Sequence, residues 1–390
     1  CLRRQRHCGG LHQVSGRRAY RGRSRVAPAA LIVMLLVVIA GAVLVVMGLK
    51  KDKTPTPPAD DPDPIEDVDP DQTDPDPQPA PIAKIEPQGE IKQYDAVYCV
   101  GNTGYEMYTY VDSTAQKYAQ CINKAADDLM GSARVFDLVI PLSSGITLPD
   151  ELYGQDFFSD QKAAETSILG YLDGATIPVP LYDALMQHRT EYIYYRTDHH
   201  WTGLGAYYAY AEFCKAAGLT ANDLSAYRTL EMPGFLGTFY NDTGKSAVLG
   251  DTPDTVTGYY PLAGDMVTMT VYNESGAKVV ENVPVVFDET SAPAAYKYGA
   301  YIYGDNAYTV ITNTAKTDGS SCLVVKESFG NAFVPFLADH YQTVYVIDYR
   351  HWSGSISSFV KENGVGDVVF CNNLSAIRNS SLVSKLYGIL

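Results

Sequence analysis

Short apolar runs that alternate with helical segments restrict the fold of this chain more than any other feature. Four such runs follow one another in the last third of the sequence: YTVITN (308–313), SCLVVKE (321–327), TVYVIDY (343–349) and DVVFCN (367–372). Segments with helical spacing, about 329–340 and 355–362, lie between them. Runs without polar alternation are typical of strands buried on both faces of a parallel sheet. The pattern predicts an α/β fold with a doubly wound sheet.

The preceding part of the chain shows the same alternation. The predicted elements are a hairpin at 94–111, helices at 113–130, 160–172 and 204–217, and strands at 134–142 and 191–197. Between about 220 and 292 the pattern changes to two β-prone runs, DMVTMTVY and KVVENVPVVF, separated by a turn. They predict a β-hairpin region inserted into the larger fold.

An uncharged apolar run, residues 27–49, precedes the folded region. At ~1.5 Å per residue it is long enough to cross a hydrocarbon core of about 30 Å as one transmembrane helix. Eight arginines lie before it and only three lysines follow closely, so residues 1–26 are expected to form a basic cytoplasmic tail. A cleavable signal peptide is the alternative, but its apolar region is normally shorter. We therefore expect a single-pass cell-membrane protein with an extracellular domain.

Asp and Pro dominate residues 50–90, which include DDPDPIEDVDPDQTDPDPQPAP. Low hydrophobicity, like-charge repulsion and frequent proline predict a disordered stalk. Roughly thirty residues at ~3.1 Å each would hold the domain at 91–390 up to about 90 Å from the membrane, within a cell wall or envelope layer.

Charge and cysteine spacing argue against three classes of protein. The formal net charge of −15 argues against a nucleic-acid partner, because phosphate binding depends on clustered Lys and Arg. The seven cysteines include no C-x-x-C pair, so the sequence has neither a zinc signature nor a dense disulfide framework.

Two positions after predicted strands are candidates for chemistry, since working residues of such sheets cluster beyond the carboxyl ends of strands. The first is Ser328, at a strand-to-helix turn. It is either a helix cap or a nucleophile, because nearby backbone N–H groups and the helix dipole can stabilise an oxyanion. Asn331, three residues later, could reach back as an amide donor.

The second position is the tetrapeptide DHHW, which begins at Asp198. In an extended segment Asp198 and His200 project to the same face, whereas His199 points away. An aspartate that binds one ring nitrogen leaves the other free to accept a serine proton. A solvated loop and a metal site are the alternatives, and a metal site would need further ligands.

Three stretches resemble, in order, the DHHW protein family of Gram-positive bacteria. They are YYRTDHHWTGLGAYYAY, GAYIYGDNAYTVITNT and LVVKESFGNAFVPFLADHYQTVYVIDYRHW. That family is related to the SGNH-hydrolase-like domains of the alginate O-acetylation proteins AlgJ and AlgX. The resemblance covers roughly residue 94 to the C-terminus. It implies an SGNH-hydrolase-like fold with a Ser-His-Asp triad of Ser328, His200 and Asp198.

The resemblance also implies roles for further residues. Arg196 and Trp201 match the motif and are expected near the substrate. Gly304 is expected to supply a second oxyanion N–H beside Ser328, with Asn331 assisting. Wider relatives tend to carry Asp before the serine, whereas this chain has Glu327.

The implied function is serine-based acyl transfer on cell-surface polysaccharide. If a sugar resolves the acetyl-serine the protein is an O-acetyltransferase, and if water does so it is an acetylesterase. The acetyl donor is expected to come through a membrane-bound O-acyltransferase, and no cofactor or metal is expected. The alternatives are a non-catalytic glycan-binding or assembly module, which Glu327 favours, and a metal-dependent hydrolase.

Overall fold

A computed structural model describes residues 81–390. The basic tail, the apolar run and most of the predicted linker lie outside the described residues. Within 81–390, no helix combines the length and the apolar character that crossing a membrane requires.

Residues 83 and 85 already contact the folded domain, although the predicted linker extends to residue 90. The N–H of Ile85 donates to the Asp150 carboxylate at 3.1 Å, and the N–H of Asp150 donates to the Ile85 carbonyl at 3.0 Å. The Arg189 guanidinium reaches the carbonyl of Ala83 at 3.4 Å. Hydrogen bonds to the backbone groups of Ala83 and Ile85 thus hold this segment.

The described residues contain three sheets and several helices. The strands are β1 (Ile91–Tyr94), β2 (Val97–Val100), β3 (Thr103–Glu106), β4 (Arg134–Ile140), β5 (Thr176–Pro180), β6 (Thr229–Phe235), β7 (Asp254–Tyr259), β8 (Val267–Tyr272), β9 (Lys278–Val283), β10 (Tyr308–Asn313), β11 (Ser321–Lys326), β12 (Thr343–Asp348) and β13 (Asp367–Asn373). The helices are α1 (Asp112–Leu129), α2 (Ser143–Ile146), α3 (Gln161–Gly170), α4 (Tyr182–Gln187), α5 (Gly203–Ala217), α6 (Thr238–Asp242), α7 (Ala247–Gly250), α8 (Gly330–Leu337), α9 (Ile356–Asn363), α10 (Leu374–Arg378) and α11 (Ser380–Tyr387).

Eight strands form the main sheet, in the order β5-β4-β13-β11-β12-β10-β8-β9. The first five are parallel, and β10, β8 and β9 continue the sheet in antiparallel pairs. The central strands β11 and β13 are buried along their whole length, as their apolar runs predict. Helix α1 packs with α9 and α11, while α5 packs with α4 and α8. The predicted α/β fold is confirmed, with a mixed sheet.

The hairpin predicted between about 220 and 292 forms, but it is part of the main sheet. Strand β8 pairs with β10 over its whole length, and β9 covers the outer edge of β8. Alternate residues of β8 are buried, which is the pattern of a strand with one face on the core. The remaining strands of this region, β6 and β7, form a separate antiparallel pair.

The prediction of a strand at 191–197 is wrong. A buried carboxylate accepts hydrogen bonds from the backbone N–H groups that would otherwise pair with a neighbouring strand. Asp254, at the start of β7, accepts hydrogen bonds from the N–H of Arg196 at 3.1 Å and of Thr197 at 2.7 Å. The Thr197 hydroxyl donates to the same carboxylate at 2.6 Å. Residues 191–197 are consequently a loop.

Candidate active site

The DHHW tetrapeptide lies in a tight turn that backbone hydrogen bonds close. The N–H of Thr202 donates to the carbonyl of Ile193 at 2.9 Å, and the N–H of Tyr195 donates to the carbonyl of His200 at 3.2 Å. The side chains of residues 198–200 therefore project from a fixed loop instead of an extended segment.

Three side chains of the predicted triad meet in the structure. His200 Nδ1 lies 2.6 Å from Asp198 Oδ1, and His200 Nε2 lies 2.8 Å from Ser328 Oγ. Ser328 comes 128 positions after His200, so the fold and not local geometry brings them together. The arrangement can pass the serine proton to an imidazole whose other nitrogen binds a carboxylate.

The Asp198 carboxylate is held by four hydrogen bonds. Oδ1 accepts from the His200 N–H at 2.9 Å as well as from the ring. Oδ2 accepts from the N–H of Thr238 at 2.8 Å and from its hydroxyl at 3.1 Å. Burial alone would raise the pKa of Asp198, but the neighbouring His200 and His199 and these donors hold that pKa well below its usual range. Asp198 is therefore an anion that can stabilise a protonated His200.

A glycine makes room for this carboxylate. A β-carbon at Gly237, whose backbone has φ −93°, would overlap the side chain of Asp198. The constraint is therefore one of space, because φ −93° is open to any residue.

The turn around Ser328 follows β11, in the middle of the sheet. Glu327 is buried, and its carboxylate accepts from the N–H of Phe329 at 3.1 Å and of Asn373 at 3.1 Å. Burial raises the pKa of Glu327, while these donors and Arg350 oppose that shift. A β-carbon at Gly330 would lie 2.6 Å from the Lys326 β-carbon, so the tight turn requires glycine there.

Two aromatic residues contact the triad and the serine turn. Tyr298 stacks on the His200 ring with centroids 4.0 Å apart, and its hydroxyl donates to the Ser328 carbonyl at 3.0 Å. Trp201 is fully buried, and its indole N–H donates to the Phe329 carbonyl at 2.9 Å. The indole thus supports the serine turn and does not lie in the cavity, contrary to the predicted place beside the substrate.

A cluster of two cations and two carboxylates lies next to the serine turn. Lys326 Nζ lies 2.8 Å from Asp348 and 3.3 Å from Asp305. Arg350 Nη2 contacts the same two carboxylates, at 2.6 and 2.8 Å. Burial would raise the pKa of Asp348, yet Lys326 and Arg350 hold that pKa below its ordinary value. The cluster is therefore charge-balanced, and removal of one member would leave an unpaired buried charge.

A cavity of about 320 Å³ opens beside Ser328. Residues after the carboxyl ends of three adjacent parallel strands line it: Ser328 after β11, Arg350 after β12 and Asn373 at the end of β13. The opposite wall comes from β2, β3, α6 and His199. His199 therefore faces the cavity and does not point away, contrary to the prediction. A cavity at this edge is where α/β sheets bind their ligands.

Three other predicted residues have hydrogen-bond partners of their own. The Gly304 N–H already donates to the Tyr301 carbonyl at 2.9 Å and is not free for an oxyanion. The Asn331 amide donates to Asp305 at 2.8 Å. Arg196 Nε lies 3.3 Å from Asp254, and Arg196 does not line the cavity.

Two residues that line the cavity, Ser328 and Arg350, have donors without an acceptor in the described part of the chain. Within residues 81–390, the backbone N–H of Ser328 has no intramolecular acceptor, and neither has Nη1 of Arg350. A free N–H at the serine suits the oxygen of a tetrahedral intermediate.

Sequence patterns indicated little about four residues of the site: Thr238, Asp254, Tyr298 and Arg350. Only Arg350 had a visible signal, since it follows the strand-like run at 343–349. Thr238 begins the short helix α6, Asp254 begins β7 and Tyr298 lies in a short 3-10 helix, and the spacing of apolar residues in such short elements does not reveal what these side chains contact.

The metal alternative can be tested on the same residues. Ligand atoms of Asp198, His199 and His200 lie within 4.8 Å of one another. However, both Asp198 oxygens already accept two hydrogen bonds each. His200 Nδ1 binds Asp198 and its Nε2 binds Ser328. Among these ligand atoms only His199 Nε2 is left without a partner in the described residues, and one imidazole nitrogen does not make a metal site.

Solved structures of other proteins share this fold. A DHHW family protein from Eubacterium siraeum is 29% identical, with a TM-score of 0.69 over 77% of this chain and 98% of that one. Bacillus cereus PatB1, in a structure with a sulfonyl adduct, is 17% identical with a TM-score of 0.61 over 77% and 98%. The O-acetyltransferase domain of Pseudomonas putida AlgJ matches at 13% identity and a TM-score of 0.39 over 72% and 93%, and no argument rests on it. A search of curated protein sequences found no significant match.

The family model described as "DHHW protein" matches residues 61–347, which is well over half of the chain. The family expected from the tetrapeptide and its flanking sequences is therefore confirmed: the chain belongs to the DHHW protein family.

Proposed function

We propose that the protein is an SGNH-hydrolase-like serine acyl-transfer enzyme that acts on cell-surface polysaccharide, as an O-acetyltransferase or an acetylesterase. The observation that carries the proposal is the 2.8 Å contact of Ser328 Oγ with His200 Nε2, in a cavity at the carboxyl edge of the sheet. A surface serine does not need an imidazole oriented by a buried carboxylate, whereas a nucleophile does.

The reaction proceeds in two halves. Ser328 Oγ attacks the acetyl carbonyl and gives its proton to His200 Nε2, which passes the proton to the donor's leaving group as the acyl bond breaks. The Ser328 N–H and the Arg350 guanidinium are the donors available to the oxyanion. A hydroxyl of the glycan, or water, then attacks the acetyl-serine and gives its proton through His200 back to Ser328 Oγ.

The first experiment measures acylation of Ser328. The full chain, purified in detergent, is mixed with 4-nitrophenyl acetate beside Ser328→Ala, and the burst of nitrophenol is recorded. We expect a burst of about one equivalent for the wild type and none for Ser328→Ala. Equal rates of nitrophenol release by the wild type and Ser328→Ala would contradict the proposal that the protein is a serine enzyme.

A sulfonyl fluoride gives an independent readout. PatB1 has been solved with a sulfonyl adduct, so this reagent class suits the fold. We expect phenylmethylsulfonyl fluoride to label Ser328 in the wild type, as mapped by peptide mass spectrometry. His200→Ala should label far more slowly, because the serine then lacks its base.

The alternative function is a non-catalytic glycan-binding or assembly module. Glu327 is the feature that favours it, because a longer carboxylate lies 3.4 Å from the nucleophile oxygen. Glu327→Asp distinguishes the two: faster acylation in the variant would mean that Glu327 limits an active enzyme, whereas a protein inert in both forms is a binding module.

We further propose that residues 27–49 anchor the protein in the cell membrane, with the N-terminus in the cytoplasm and the domain outside. Acetyl groups would then arrive through a membrane-bound O-acyltransferase. Protease added to intact cells should digest the domain and spare an N-terminal epitope tag. A domain protected until the cells are lysed would overturn this orientation.

A further inference from the structure

His199 adjoins the triad but has no part in the reaction as described. It lines the same cavity as Ser328, and its ring packs on His200 with centroids 3.9 Å apart. His199 Nδ1 lies 2.6 Å from the hydroxyl oxygen of Thr238, which in turn lies 3.1 Å from Asp198 Oδ2.

The direction of these hydrogen bonds fixes the His199 tautomer. Asp198 is ionised and can only accept, so the single hydroxyl proton of Thr238 points to Asp198. A proton turned towards His199 instead would leave two oxygen lone pairs facing each other at 3.1 Å. The Thr238 oxygen must therefore accept, and His199 Nδ1 carries the proton.

The other ring nitrogen is consequently an acceptor without a partner. Burial and the adjacent His200 lower the pKa of His199, which favours the neutral ring. A neutral ring with a proton on Nδ1 has a lone pair on Nε2. Within residues 81–390, His199 Nε2 makes no hydrogen bond, although the residue borders the cavity.

We propose that His199 Nε2 accepts a hydrogen bond from a second hydroxyl of the acyl acceptor, so that the acceptor site is built for a vicinal diol of a sugar ring. The inference rests on the proposed function and names its acceptor class. His200 takes the proton of the attacking hydroxyl and returns it to Ser328 Oγ as the acetyl–serine bond breaks. His199 keeps its own proton on Nδ1 and orients the acceptor through the neighbouring hydroxyl. Water has no second hydroxyl, so His199 does not favour water as the acyl acceptor.

The test separates acylation from transfer. The full chain, purified in detergent, is acylated by 4-nitrophenyl acetate in the presence of equal concentrations of 1,2-propanediol, 1,3-propanediol or 1-propanol. Mass spectrometry measures the acetylated alcohol, and the nitrophenol burst measures acylation. For the wild type we expect about five- to tenfold more transfer to 1,2-propanediol than to 1-propanol, which is the effect of one added hydrogen bond. Transfer to 1,3-propanediol should resemble that to 1-propanol.

Two substitutions distinguish the nitrogens of His199. His199→Asn keeps a donor near the Nδ1 position and removes Nε2, so it should lose the preference for the 1,2-diol, measured as the ratio of transfer to 1,2-propanediol over transfer to 1-propanol per acylated enzyme. His199→Gln keeps an acceptor near the Nε2 position and should retain part of the preference. A purely structural His199 would instead affect the burst in both variants.

Each outcome decides the matter. The inference alone fails if the wild type shows a burst but no preference for the 1,2-diol, if His199→Asn keeps that preference, or if both variants lose the burst. A wild-type protein without a burst overturns the proposed function, and the inference with it.

Discussion

Asp254 accepts hydrogen bonds from both the backbone N–H and the hydroxyl of Thr197, at 2.7 and 2.6 Å. This fully buried carboxylate ties β7 to the loop that carries the acid–base pair. In Asp254→Asn one acceptor oxygen becomes a donor that faces other donors. We expect a loss of about 3 kcal/mol in the free energy of unfolding, measured by urea denaturation, because a buried paired charge is replaced by an unmatched group. Asp251→Asn, three residues away and exposed, is the matched control and should unfold like the wild type.

Gly237 tests the space around the Asp198 carboxylate. In Gly237→Ala the added methyl group overlaps that side chain, which must move and take His200 with it. A displacement of about 1 Å at an acid–base pair can lower a rate by about 100-fold, and we expect a loss of that order in the acylation rate with 4-nitrophenyl acetate. Gly174→Ala adds a methyl group in open space and should acylate normally. An unchanged rate in Gly237→Ala would show that the carboxylate position is not critical.

The centre of the sheet was predictable because its strands bury both faces. Strand β10 coincides with the predicted run at 308–313, and Ser328 lies after β11 as the pattern indicated. Local sequence indicates these elements, since each run is rich in β-branched and apolar residues. Strand β5 was not predicted, because its sequence TIPVP contains two prolines. Prolines are tolerated at the edge of a sheet, where β5 lies.

The surroundings of the triad were not predictable, because they depend on contacts between distant residues. Thr197 meets Asp254 57 positions later, and Asp198 meets Thr238 40 positions later. Each partner is the first residue of a short element, α6 or β7, and the apolar spacing of those elements does not reveal such contacts. The aromatic, β-prone composition of 191–197 predicted a strand, but tertiary hydrogen bonds to one carboxylate outweighed that propensity. The same turn brought His199 into the cavity, which an extended segment would not have done.

A chelator should leave acylation unchanged. The Asp198 oxygens and both His200 ring nitrogens already have partners, which leaves an ion at residues 198–200 only His199 Nε2. We expect the nitrophenol burst to keep its amplitude and rate after incubation with EDTA and desalting. A loss that added Zn²⁺ restores would support a metal-dependent hydrolase instead.

We expect Asp198 to fix the tautomer of His200, in addition to any part it has in the fold of the loop. In Asp198→Asn the amide can donate to His200 Nδ1, which then leaves the proton on Nε2, where it cannot accept the serine proton. We expect the acylation rate to fall about 10³- to 10⁴-fold. Asp156→Asn, an exposed aspartate in a turn, should retain the wild-type rate. A decrease of less than tenfold would mean that His200 does not depend on this carboxylate.

Asp137 should make stability depend on pH, since it is buried in β4 with a hydrogen bond from the Tyr118 hydroxyl. Burial raises the pKa of Asp137 to about 7 in the folded protein, far above its ordinary value. Between about pH 4 and pH 7 the folded state holds this proton and the unfolded state does not, so the free energy of unfolding falls as pH rises through that range. The loss from this one group amounts to about 4 kcal/mol by pH 8. Asp137→Asn cannot titrate, and its stability relative to the wild type should increase steadily from pH 4 to pH 7 and then level off. Urea denaturation of both proteins across this range measures the difference, with exposed Asp251→Asn as the control. Parallel curves for the wild type and Asp137→Asn would show that the buried carboxyl is not protonated in the folded state.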